Sequence, residues 1–114
     1  MTHEQFDEVI DALNECAIDC INCEVACLEE ENVEGLVRCI RLDRECAETC
    51  LFTVKMIAAD AELSRDILDL CARICDTCRD ECEKHADHMD HCRICAESCR
   101  RCAEECRSLV KVTV

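Results

Sequence analysis

Cysteine recurs at every third or fourth position over long stretches of this 114-residue chain. In the segment CAESCRRCAEEC (residues 95–106), counted back to Cys92, successive cysteines are separated by 3, 4, 3 and 4 positions. An α-helix returns to the same face at this spacing, so the pattern predicts helices with cysteines along one side. The chain has no proline and a single glycine, Gly35, which disfavours a turn-rich β fold. We therefore predict an all-α protein.

Hydrophobic periodicity separates the chain into four helical segments. They cover about residues 3–30, 33–59, 61–85 and 87–109. Thr2 and Gln5 have the spacing of a capping box, and Asn32 and Asp60 are predicted to cap the second and third helices. Connections this short make neighbouring helices antiparallel, which predicts one up-down-up-down four-helix bundle over residues 1–114, with a cysteine-lined core.

A heptad seam drawn on each helix collects every cysteine of the chain on the inward side. The first and third helices carry apolar residues before their cysteines, whereas the second and fourth largely carry them after. Because neighbours are antiparallel, the thiols gather towards one end and an apolar plug forms at the other. Asp43 is the one carboxylate on the seam, and we expect it to rotate outward so that Leu42 packs instead. The predicted inward cysteines are Cys16, Cys20, Cys23, Cys27, Cys39, Cys46, Cys50, Cys71, Cys75, Cys78, Cys82, Cys92, Cys95, Cys99, Cys102 and Cys106.

This ladder of thiols fits metal binding better than disulfides or plain packing. Residues three or four apart on a helix have Cβ atoms about 5–6 Å apart, whereas a disulfide requires about 3.5–4.5 Å. A core packed with sixteen small cysteines and nothing else would be underfilled. A metal–sulfur bond of about 2.3 Å lets one ion join sulfurs up to about 4.6 Å apart, which helical neighbours and facing helices can both supply.

Charge favours Cu(I) among the soft ions that thiolates select, which are mainly Cu(I), Zn(II) and iron–sulfur clusters. A Cu⁺ that replaces one thiol proton leaves the charge unchanged, whereas zinc in four unshared thiolates adds two negative charges to a protein already at −14. The loop spacings typical of iron–sulfur proteins are absent. The ladder predicts many Cu(I) ions per chain. A zinc- or cadmium-binding detoxification protein and a thiol redox protein remain the alternatives.

The segment KHADHMDH (84–91) adds histidine and methionine at the thiol end. His85 follows Cys82 by three residues and His88 precedes Cys92 by four, so both continue the seams. With Met89 beside them, we predict outer copper ligands or an entry point at the only core end not closed by apolar residues. Register favours His85 and His88 over His91.

Charge and segment composition limit the other partners and the compartment. A net charge of −14 disfavours nucleic acid and anionic membranes. The first residues, MTHEQFDEVIDALNEC, lack the basic start and apolar run of a signal peptide, and no segment is apolar for long enough to span a bilayer. We expect a cytoplasmic protein, whose thiols remain reduced.

Several motifs resemble the cysteine-rich four-helix-bundle copper-storage proteins of the cytosolic branch. They are CAIDCINCEVAC (16–27), CARICDTCRDEC (71–82) and HCRICAESCRRCAEEC (91–106), joined by CEKHADHMDHC (82–92). The resemblance implies a non-enzymatic protein that holds many Cu(I) ions through core cysteine pairs, often as a homotetramer, with a copper chaperone as a candidate donor. The gap between Cys39 and Cys46 leaves the second helix with fewer thiols than its partners, so the ion count is left open.

Overall fold

The computed structural model describes residues 1–112 as four long α-helices; residues 113 and 114 of the predicted domain lie outside the described part. The helices are α1 (His3–Leu28), α2 (Val37–Ala58), α3 (Ser64–Glu83) and α4 (Asp90–Val112). Each helix packs against the two beside it, and in residues 1–112 the diagonal pairs α1/α3 and α2/α4 make no close backbone contact. The molecule measures 47 × 20 × 17 Å, about two helices across. The predicted antiparallel four-helix bundle is confirmed.

The N-terminus of α1 has the predicted capping box. Thr2 Oγ1 accepts a hydrogen bond from the Gln5 backbone N–H at 3.1 Å. Gln5 Oε1 accepts one from the Thr2 backbone N–H at 2.8 Å. Two donors that the helix start would leave unpaired are thus satisfied within the first turn, which is why this boundary agrees with the prediction.

The second helix begins later than predicted. Residues Val33–Leu36 form a turn of 3₁₀-helix, and α2 follows from Val37. The Asn32 side chain makes no capping hydrogen bond, so the prediction that it caps α2 is wrong. Leu36 is fully buried here, at the thiol end of the bundle.

Asp60 ends α2 and does not begin α3, so the predicted cap is wrong. Its φ of 52° places it in the left-handed region. The Asp60 N–H bonds to the Ile57 carbonyl at 3.1 Å and the Ala61 N–H to the Met56 carbonyl at 3.0 Å. These two bonds form the Schellman motif that closes a helix C-terminus. The chain turns over residues 59–63, and α3 begins at Ser64.

The remaining boundaries differ from the predictions by two or three residues. The helix α1 ends at Leu28 and α3 at Glu83, each two residues early, while α4 begins at Asp90 and extends to Val112. Residues 84–89 therefore form a turn-rich loop at the thiol end. None of the helices in residues 1–112 has a stretch apolar and long enough to traverse a bilayer.

The core has an apolar plug at one end and thiols over the rest of its length. The plug residues are at most 5 % exposed: Val9, Leu13, Ile57, Leu68 and Leu109. All sixteen cysteines are 0 % exposed. The plug lies where the first halves of α1 and α3 meet the second halves of α2 and α4, which confirms the predicted segregation.

We expect the reduced, metal-free protein to be folded already. The plug buries large aliphatic side chains without any metal, and burial of each contributes about 1.5–3 kcal/mol. Far-ultraviolet circular dichroism of the apo-protein, kept anaerobic with reductant and chelator, should show a strongly helical spectrum. A helical signal that appears only when copper is added would contradict this expectation, because folding would then depend on the metal as in a zinc finger.

Candidate metal centre

Free thiols line the whole interior of the bundle beyond the plug. All sixteen cysteines are unpaired and buried. Four come from α1, three from α2, four from α3 and five from α4. Every helix therefore contributes sulfur to a single column, and small alanines such as Ala72 and Ala103, at most 1 % exposed, let the backbones approach closely around it.

Sulfur–sulfur distances along the column suit bridging ions. Cys16 Sγ lies 3.8 Å from the Sγ atoms of both Cys46 and Cys99. The Sγ atoms of Cys46 and Cys75 are 3.7 Å apart, and those of Cys20 and Cys95 are 3.6 Å apart. These distances exceed the disulfide bond length of about 2.05 Å, yet they fall within the span of about 4.6 Å that one ion can bridge. The column can accept metal with small rotamer changes.

Groups of four thiols overlap along the column. Cys16 and Cys46 share one group with Cys50 and Cys75, in which all sulfurs lie within 4.8 Å of one another. The same two cysteines share a second group with Cys20 and Cys99. Because a sulfur belongs to two groups at once, the interior offers bridging thiolates and not a series of separate four-ligand sites.

Asp43 lies among the thiols, and the prediction that it rotates outward is wrong. Its side chain is 0 % exposed, and Leu42 is buried as well, at 8 %. Asp43 Oδ1 accepts hydrogen bonds from the thiols of Cys78 and Cys95 at 3.3 Å and of Cys82 at 3.5 Å. These donors, from α3 and α4, satisfy the carboxyl group inside the core. They come from other helices, so the local pattern around Asp43 could not reveal them.

The surroundings of Asp43 keep it neutral. Burial, together with the neighbouring Cys95 and Cys78, raises its pKa to about 11. Asp43 forms no ion pair with any cationic side chain of residues 1–112, so the protonated acid is the form that the core accommodates. Asp43 is thus a neutral hydrogen-bonding group at neutral pH.

Ionisation of the thiols is coupled through their contacts. Hydrogen bonds from Cys102 and Cys20 lower the pKa of Cys16, while contact with Cys16 raises the pKa of Cys20. Burial raises the pKa of Cys27 to about 12. Hydrogen bonds from the thiols of Cys102 and Cys20 thus favour the thiolate form of Cys16, while the same contact favours the protonated form of Cys20. A cation entering the column must displace protons, so binding depends on pH.

His91 is the histidine that contacts the thiols. Its Nδ1 lies 3.6 Å from the sulfurs of Cys23 and Cys92 and 3.8 Å from that of Cys27. Register favours His85 and His88 over His91, whereas in the structure His91 is the one of the three that contacts the thiols. The helix α4 begins at Asp90, so a seam extended upstream to residue 88 leaves the helix, whereas His91 lies in its first turn.

The other predicted outer residues lie at different distances from the column. His85 Nε2 contacts Glu81 Oε2 at 3.0 Å, and the side chain of His88 is exposed. Within residues 1–112 neither ring is within hydrogen-bonding distance of a thiol. Met89 is half-buried, with Sδ 4.0 Å from Cys92 Sγ. Only Met89 of the three is in contact with the column, and a ligand role for any of them stays a prediction.

Glu81 anchors the loop at this end of the bundle. Its side chain is 7 % exposed and accepts from Arg38 of α2 and from Lys84, both at 3.2 Å. Burial would raise the pKa of Glu81, but hydrogen bonds from His85 and Lys84 outweigh it and hold this pKa below its ordinary value. The His85 ring is therefore engaged in fixing the loop.

Comparison with known proteins agrees with the geometry. A family model described as copper storage protein matches residues 2–111. A cytosolic copper storage protein from Streptomyces lividans, in a structure loaded with five coppers, is 37 % identical, with coverage of 97 % of this chain and 96 % of that one and a TM-score of 0.92. The Cu(I)-bound copper storage protein BsCsp3 is 43 % identical, with coverage of 93 % and 98 % and a TM-score of 0.87.

A curated relative is also described as cysteine-rich. An uncharacterized cysteine-rich protein of Bacillus subtilis, YhjQ, is 48 % identical over 73 residues, which cover 63 % of this chain and 68 % of that protein. The family model and both structures extend over nearly all of the bundle. The chain belongs to the copper storage protein family.

Proposed function

We propose that this protein stores Cu(I), with many ions held in its core. The observation that carries the proposal is the fully buried column of sixteen free thiols, in which contacting sulfurs lie 3.6–3.9 Å apart. Soft thiolates select Cu(I), and exchange of one proton for one Cu⁺ leaves the buried charge unchanged. The copper-loaded Streptomyces lividans protein and Cu(I)-bound BsCsp3 support the same cargo here.

The sixteen cysteines are the proposed ligands. His91 and Met89 lie at the thiol end, in contact with Cys92, and are suited to receiving an ion before the interior thiolates do. The ligand types therefore change from imidazole and thioether at the entrance to thiolate inside. His85 and His88 lie further from the column, and we propose that they bind an incoming copper ion before it reaches the thiols.

The proposed role is storage and not catalysis, because every thiol serves as a ligand and none is set apart as a nucleophile. A cytoplasmic location follows from the likeness to the cytosolic Streptomyces lividans protein and from the need for reduced thiols. Assembly as a homotetramer and delivery of copper by a chaperone are proposed from the family resemblance.

Competitive metal loading tests the choice of cargo. The reduced apo-protein, mixed anaerobically with equal excesses of Cu(I), Zn(II) and Cd(II), should retain many Cu(I) ions per chain and at most about one divalent ion after desalting. The reason is that each divalent ion in a four-thiolate site adds two negative charges to a buried column, and buried unpaired charge is costly. Metal analysis gives the result. Zinc or cadmium present in numbers equal to copper would support detoxification of divalent ions instead.

A further inference from the structure

Four side chains at the thiol end form a compact donor group. They are the thiols of Cys23 and Cys27 from α1, the thiol of Cys92 from α4 and the Nδ1 atom of His91. The sulfur–sulfur distances are 3.9 Å for Cys23–Cys27, 3.8 Å for Cys23–Cys92 and 3.9 Å for Cys27–Cys92. The distances from His91 Nδ1 to the same sulfurs are 3.6–3.8 Å.

These six distances are close to the edges of a tetrahedron around one metal ion. With a Zn–S bond of about 2.3 Å, tetrahedral geometry places two sulfurs about 3.8 Å apart. With a Zn–N bond of about 2.0–2.1 Å, the nitrogen–sulfur edge is about 3.6 Å. Three thiolates and one imidazole are also a known ligand set for zinc. The arrangement is therefore preformed for a single tetrahedral ion.

Charge and access distinguish this group from the interior quartets. A Zn²⁺ that replaces three thiol protons and keeps a neutral imidazole changes the local charge by −1, compared with −2 in a four-thiolate group. The three cysteines of this group are 0 % exposed like the interior cysteines, but the His91 side chain is 21 % exposed, so the group borders solvent that can screen part of the remaining charge. The energetic objection to divalent ions in the core is weakest at this position.

We propose that Cys23, Cys27, Cys92 and His91 form a discrete tetrahedral site that holds one Zn²⁺ per chain. The inference goes beyond copper storage, although the site shares three cysteines with the copper column. Zinc here leaves the other thirteen cysteines of the chain available to Cu(I).

Glu30 is the positioning residue of this site. His91 Nε2 lies 3.4 Å from Glu30 Oε1, on the side of the ring opposite the thiols. A proton on Nε2 shared with this carboxylate leaves the Nδ1 lone pair directed at the three sulfurs. Carboxylates that hold a ligating histidine in this way fix its tautomer and raise its basicity.

The test uses the reduced, copper-free full chain titrated with Zn²⁺ alone against a chromophoric chelator. We expect one tightly bound Zn²⁺ per chain, and Co²⁺ in its place should give the visible spectrum of a tetrahedral ion with thiolate ligands. His91→Ala and Cys27→Ser should each weaken Zn²⁺ binding at least about tenfold, while His88→Ala, in the neighbouring exposed position, should leave it unchanged. Circular dichroism verifies the fold of each variant.

Glu30 is tested by its own variant. Glu30→Gln should weaken Zn²⁺ binding about 10–100-fold and change the ¹⁵N shifts that report the His91 tautomer in the apo-protein, whereas Glu31→Gln should do neither. Failure to bind Zn²⁺ tightly, several equivalent Zn²⁺ ions per chain, or unchanged affinity in His91→Ala would each overturn the site. An unchanged tautomer in Glu30→Gln would overturn the positioning role. Because no copper is present, these outcomes are independent of the storage function.

Discussion

Replacing Asp43 by asparagine is expected to stabilise the reduced apo-protein by about 2–4 kcal/mol at pH 7. The unfolded chain ionises this group at its ordinary pKa of 3.8, whereas burial raises the folded pKa to about 11. At pH 7, about three units above the pKa of the unfolded chain, folding must protonate this carboxylate, which costs at most about 4 kcal/mol. Asparagine has nearly the same shape and no proton to hold, so it removes this cost.

The sign of the pH dependence follows from the same shift. Between pH 4 and 11 the folded protein binds more protons at Asp43 than the unfolded chain, so its contribution makes stability fall as pH rises. The advantage of Asp43→Asn should grow with pH above about 4 and disappear below it. Urea unfolding of both proteins over a pH series gives the difference, and Asp11→Asn at an exposed position is the control. A variant less stable than wild type at pH 7 would mean that Asp43 is ionised and stabilising.

Replacing Leu68 by alanine is expected to destabilise the apo-protein by about 2–5 kcal/mol. Leu68 lies in the plug at 1 % exposure, so its loss removes buried apolar surface and leaves a cavity that the bundle cannot fully close. Leu70 on the same helix is 48 % exposed and supplies the matched control. Leu70→Ala should change the free energy of unfolding by less than about 0.5 kcal/mol.

Chemical denaturation of the two leucine variants, without metal, decides the role of the plug. A cost below about 1 kcal/mol for Leu68→Ala would show that the thiol column, and not the plug, supports the apo fold. Equal effects of the two substitutions would lead to the same conclusion. Copper capacity should be the same in both variants, because neither side chain belongs to the column.

Features set by local spacing were predictable from the sequence. The recurrence of cysteine every three or four residues predicts both the helices and their inward faces, because residues at this spacing lie on the same face of an α-helix. The Thr2–Gln5 capping box is likewise a contact between near neighbours. The segregation of plug and thiols follows once short loops make adjacent helices antiparallel. These predictions are confirmed because each depends on residues within a few turns of one another.

The features that the sequence did not reveal depend on other parts of the fold. Asp43 is retained in the core by thiols from α3 and α4, which its own helix does not reveal. His91 contacts Cys23 and Cys27 of α1, about 65 residues earlier in the chain. Aspartate is a common N-cap residue, but Asp60 lies in the Schellman motif that ends α2 and so belongs to the preceding helix. Its position just before α3 did not make it the cap of that helix, because aspartate also tolerates the left-handed backbone conformation found at helix C-termini.

Anaerobic titration of the reduced protein with Cu(I), in competition with a Cu(I) chelator, tests the storage function most directly. If thiolates bridge between ions, sixteen cysteines hold roughly sixteen Cu(I), and we expect more than about ten tightly bound ions per chain. Each Cu⁺ bound should release about one proton, because the buried thiols are largely protonated before loading. Saturation at one or two ions per chain would contradict storage in the column.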